Sequence, residues 1–110
     1  MGLGSERMDV HDEMMRIFEA QEEELKNIRD IGDYLNEEVL EIKREQSLGS
    51  DGWSTTHYTL VTGLGGPHVE FDTQYHIHVY WGGDKIESCT YDKDVRNIID
   101  EIEEWLNDLY

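Results

Sequence analysis

Lysine and arginine are scarce in this chain: 9 of them stand against 26 aspartates and glutamates, for a formal charge of −17 over 110 residues. That shortage argues against direct nucleic-acid binding, which needs cations to displace phosphate counterions. It disfavours an anionic membrane surface for the same reason. Cysteine occurs once, at Cys89, so no intrachain disulfide can form. A reducing cytoplasm is the expected setting. No stretch approaches the roughly 18 consecutive apolar residues of a membrane span. The opening MGLGSERMDVHDEMM lacks the apolar run of a signal peptide. Catalytic signatures are missing too. Gly63-Leu64-Gly65-Gly66-Pro67 leads into a strand with no lysine nearby, unlike a phosphate-cradling loop, and no nucleophile elbow occurs. A non-enzymatic role without a cofactor is the expectation.

What the chain has in quantity is negative charge. A field of that sign favours a basic partner, metal cations or plain solubility. The length allows one domain with a modest core.

Residues 1–8 read as a disordered lead-in. Residues 9–46 carry a helical pattern, with Asp9 or Asp12 as the cap. Met14, Phe18, Gln21, Leu25, Ile28, Gly32, Leu35, Val39 and Ile42 recur at alternating spacings of four and three, a heptad seam weakened at Gln21 and Gly32. A break near Gly32 would divide this long helix in two. Ser47–Gly52 is a loop by composition. Residues 53–91 hold the β-forming residues, in three to four antiparallel strands punctuated by the glycine-proline turn and by Gly82-Gly83. Residues 92–109 form an amphipathic helix capped by Asp92 or Asp94, with Val95, Ile98, Ile99, Ile102, Trp105, Leu106 and Leu109 on one side. Strands gathered between helices define an α+β domain.

The hairpin around Asp72 has a register that alternation can select. A three-residue loop, Asp72-Thr73-Gln74, pairs Phe71 with Tyr75 and Val69 with Ile77, gathering the apolar side chains on one face. Glu70 then faces His76, and His68 faces His78. Those four form a candidate site for a divalent metal such as zinc, or for a small hydrolytic module, since neutral imidazole and carboxylate are ordinary ligands. The competing account is the polar face of a sheet covered on one side only. Cys89 reads as a small half-buried strand residue, not as a nucleophile.

Two larger surfaces remain. Glu19, Glu22, Glu23, Glu24, Glu37, Glu38 and Glu41, with Asp100, Glu101, Glu103 and Glu104 near the C-terminus, form rows of carboxylates. Such rows reproduce the charge of a nucleic-acid backbone and would suit the basic groove of another protein. A solvated helix face or adaptation to salt would look the same. The seam of Phe18, Leu25, Ile28, Leu35, Val39 and Ile42 serves either the domain's own core or a homodimer through the first helix.

The residues Gly65, Gly66, Pro67, His68, Val69, Glu70 and Phe71, with Tyr80, Trp81, Gly82 and Gly83, resemble a pattern in short uncharacterised proteins of phages and mobile elements. The pattern is a GGP turn, an alternating strand, then an aromatic strand ending at a glycine turn. It spans about a quarter of the chain. The resemblance implies a mobile-element origin, where small acidic proteins often resemble inhibitors of host defence. It brings no catalytic residues.

Overall fold

The computed structural model describes residues 3–65 and 67–109, with side chains from Val10 onward. Met1, Gly2, Gly66 and Tyr110 lie outside the described residues, and with them part of the expected lead-in and the middle of the glycine-proline turn. In chain order the elements are α1 (Leu3–Lys26), α2 (Ile31–Glu37), β1 (Glu41–Gly49), β2 (Gly52–Gly63), β3 (His68–Asp72), β4 (His76–Trp81), β5 (Asp84–Cys89) and α3 (Lys93–Leu109). The five strands form one antiparallel meander in the order β1-β2-β3-β4-β5. The fold is α+β, with a helical element at each end of the chain and one strand more than expected.

The core lies between one face of the sheet and the helices. Tyr58, Leu60, Phe71, Ile77 and Val79 meet Met14, Phe18 and Leu25 of α1 and Val95, Ile99, Ile102 and Leu106 of α3. In α3 these four recur at the expected helical spacing, and the Asp92 carboxylate caps it by accepting from the N–H groups of Asp94 (2.9 Å) and Val95 (3.3 Å). Fully burying an aliphatic side chain of this size stabilises by roughly 1.5–3 kcal/mol.

The long helix expected over residues 9–46 is corrected at both ends. The backbone is already helical from Leu3, so described residues of the expected lead-in belong to α1. The break comes at 27–30, ahead of Gly32. Asn27 turns its amide onto the Glu23 carbonyl (2.9 Å), and Asp30 caps α2 by accepting from Asp33 N–H (3.0 Å). Residues 41–49, rich in helix formers, are instead a strand. Backbone pairing with β2 outweighs their intrinsic preference. The seam survives these changes only as a list of core residues. Phe18, Leu25 and Val39 are buried, and Ile28, Leu35 and Ile42 pack against them. All six contribute to the chain's own core.

Gln21, the polar seam position, is buried and fully employed. It accepts from Thr62 Oγ1 (2.5 Å) and donates to Glu24 (3.0 Å) and Tyr34 Oη (3.4 Å). Tyr34 donates to Glu24 (3.1 Å). Burial, reinforced by the Glu24 carboxylate, pushes the Tyr34 phenol well above its usual range. The network fastens α1 to α2 and to β2.

Gly32 lies within α2, where a Cβ would stand 3.1 Å from the Trp105 ring. Gly32→Ala is expected to be nearly neutral: the helix-propensity gain of about 1 kcal/mol is offset by displacing a half-exposed indole. Gly32→Val is expected to destabilise by about 1–2 kcal/mol through overpacking, as a urea titration would show.

Candidate functional site

The hairpin register differs from the expected one by two residues. Phe71 pairs with Ile77, Val69 with Val79, Glu70 with His78 and His68 with Tyr80. A two-residue shift keeps every side chain on its expected face, so the apolar set stays together. Asp72 sets the larger loop. Its Oδ1 accepts from Gln74 N–H (2.9 Å) and His76 N–H (3.1 Å), and Tyr75 takes up a positive φ of 72°. Thr73 is pinned to Tyr58 by a bond in each direction, both 3.0 Å. The apolar pattern alone could not distinguish two registers of the same parity.

The ladders order the face opposite the core into rows. Asp72, at the end of β3, lies beside His76, which is opposite Cys89; Glu70, His78 and Glu87 form the next row; His68, Tyr80 and Lys85 form a third. The four expected ligands do not converge on one point. His68 Nε2 pairs with Glu70 Oε2 (3.3 Å). His76 Nδ1 lies 3.4 Å from Asp72 Oδ1, and His78 Nε2 lies 3.2 Å from Asp72 Oδ2. Among the described residues no group of three or more His, Cys, Asp and Glu side chains is placed to hold a metal ion. Zinc added to tag-free protein is accordingly expected to leave its melting temperature unchanged. A saturable upward shift would show that these side chains rearrange into a ligand set.

Asp72, Glu87 and Tyr80 are the members that the expected register concealed. Asp72 and His78 are nearly buried. Burial alone would raise the Asp72 carboxyl, but the His78 imidazole and the N–H groups of His76 and Gln74 together hold it below its usual value. The Asp72 hydrogen bond raises the His78 pKa; burial opposes this, and Glu87, Asp72 and Glu70 add to the rise. His78 Nδ1 lies 3.1 Å from Glu87 Oε1 but off the line of a hydrogen bond, so that contact is Coulombic. The arrangement is a clamped imidazole. Cys89 is half-buried and free of disulfide, and no hydrogen bond joins it to an imidazole among the described residues.

The carboxylate rows separate into two groups. Glu22 accepts from Thr90 (2.5 Å), Glu24 from Gln21 and Tyr34, and Asp100 from Tyr75 (2.6 Å). These three hold elements together. Glu103 is half-buried, and Glu23 lies 3.9 Å from Lys26. Glu19, Glu37, Glu38, Glu41, Glu101 and Glu104 are exposed and make no ion pair among the described residues. At the α1–α2 turn, Asp30, Asp33, Glu37 and Glu38 line an open hollow of about 300 Å³.

No described helix is long and apolar enough to cross a membrane. No protein-family model, curated protein or solved structure matches the chain.

Proposed function

We propose that this is a small acidic protein-binding protein that occupies a basic, nucleic-acid-binding surface of another protein, with its carboxylates standing in for phosphates. The observation that carries the reading is the set of exposed carboxylates that make no ion pair among the described residues: Glu19 on α1, Glu37 on α2, Glu38 just after it, Glu41 at the start of β1, and Glu101 and Glu104 on α3. Carboxylates with no ion pair among the described residues are available to a partner, and a field of −17 steers a cationic surface from long range. The resemblance to mobile-element proteins suggests a host or defence protein as the target, in the cytoplasm. The immobilised protein is expected to capture basic nucleic-acid-binding proteins from host lysate at low salt and to release them at high salt or on adding duplex DNA. Failure to capture any such protein contradicts the reading, as does capture unaffected by salt and DNA.

The His78 clamp favours no second function. His78 Nε2 is held by Asp72, its Nδ1 has only the Coulombic contact with Glu87, and it makes no hydrogen bond to a nucleophile among the described residues.

A further inference from the structure

β5 is an edge strand, and α1 packs on its inner neighbour β4. A gap is left between the helix and β5. On the helix side stand Val10, His11 and Met14. On the strand side, Asp84 and Ile86 alternate onto one face of β5, the core face that Ile86 shares with its partner Val79. These five residues line a cavity of about 240 Å³.

Met14 is buried, and Val10 and Ile86 are half-buried against the core, so the depth of the cavity is apolar. His11 and Asp84 are exposed at its surface. Their side chains make no hydrogen bond or ion pair among the described residues. Lys85 lies on the other face of the strand, over the Tyr80 ring and 3.7 Å from Glu87, so it does not neutralise Asp84. The cavity is smaller than the roughly 300–1,000 Å³ of a drug-sized ligand's site, and suits a single side chain. With Asp84 at its surface, in a chain of −17, the group it favours is a cation on an apolar stem.

We propose that this cavity receives an arginine side chain of a basic partner protein. The methylene stem lies along Val10, Met14 and Ile86, and the guanidinium meets the Asp84 carboxylate. Arginine suits the site better than lysine. A guanidinium is less strongly hydrated than an ammonium, and it stacks flat on a ring such as the His11 imidazole. The inference rests on the reading of this protein as the binder of a basic surface. It adds an anchor that the rows of exposed glutamates do not supply: dispersed charges steer a partner, whereas one side chain held in a cavity fixes its position.

The test is an NMR titration of the isotope-labelled full chain with N-acetylarginine amide, the probe for an arginine within a protein. Saturable shifts are expected at the amides of His11, Met14, Asp84 and Ile86, with millimolar affinity. N-acetylcitrulline amide keeps the shape without the charge and is expected to bind severalfold more weakly. Asp84→Asn, an exposed and conservative change, is expected to weaken the arginine probe by up to about fivefold. Val10→Phe, which fills the cavity, is expected to abolish the saturable shifts; the spectrum of each variant reports its folding. No saturable shift at the lining residues overturns the proposal. So does equal binding of the citrulline analogue, binding indifferent to Asp84→Asn, or tighter binding of free L-arginine, which would make the cavity an amino-acid site. The titration needs no partner, so the two readings fail separately. Probe binding without capture of a basic protein from lysate contradicts the carboxylate reading alone, and capture without probe binding overturns the cavity alone.

Discussion

Asp72→Ala is expected to destabilise the fold by about 3 kcal/mol, because it removes a buried charge partner and a loop cap together. The carboxylate holds two backbone N–H groups and both neighbouring imidazoles. Without it, Gln74 and His76 lose their acceptor, and His78 keeps the Coulombic influence of Glu87 and Glu70 but loses its hydrogen-bonded carboxylate. Asp72→Asn should lose less, since an amide oxygen can still accept from the two N–H groups. The pH dependence separates the roles. His78 has a raised folded pKa, so its contribution is full below its ordinary value of 6.5 and is lost as pH rises through the folded value. Asp72 has a lowered folded pKa, so its contribution is full above 3.8 and is lost as pH falls through the folded value. Between those limits the pair stabilises most. Wild-type stability should therefore decline as pH rises above 6.5 through the folded value of His78, and in Asp72→Ala that decline should flatten. Urea titrations at several pH values check this. An unchanged slope in the variant would contradict the clamp.

Much of this architecture is legible in the chain. Val95, Ile99, Ile102 and Leu106 of the α3 stripe and the Asp92 cap stand as expected, because an amphipathic helix needs only one face covered, whereas Trp105 and Leu109 of that stripe are exposed. The grouping of Val69, Phe71, Ile77 and Val79 is also legible, because strand alternation fixes which side chains share a face. The register within that parity is not. It depends on Asp72 capping its own loop and on Tyr75 accepting a positive φ, an uncommon backbone state for a bulky residue. Residues 41–49 mislead most. Glu-Ile-Lys-Arg-Glu-Gln favours helix locally, and only a partner strand distant in sequence makes it β. The heptad spacing likewise identifies core residues without identifying what they pack against. Gln21 looks like a flaw in that seam because Thr62, its closest hydrogen-bond partner, lies 41 residues further on.

Reversing Glu19, Glu37, Glu101 and Glu104 to Lys changes the net charge by eight units at exposed positions. Each exposed pair contributes roughly 0.2–1 kcal/mol, so losing four and replacing them by repulsion should weaken a basic partner's binding by about 100-fold or more. Stability should change little, because none of the four makes an ion pair within the chain among the described residues. Reversing Glu22 and Glu24 would be a poorer test. Both hold α1 to its neighbours, so lost binding could reflect lost structure.

The most direct measurement is competition on one captured basic partner. A fluorescent DNA duplex is bound to that partner, and this protein is titrated in while anisotropy is followed. The account predicts full displacement of the duplex by the wild type and little by the four-site reversal at the same concentration. A duplex that stays bound while the acidic protein also binds would contradict it, since the two would then occupy different surfaces.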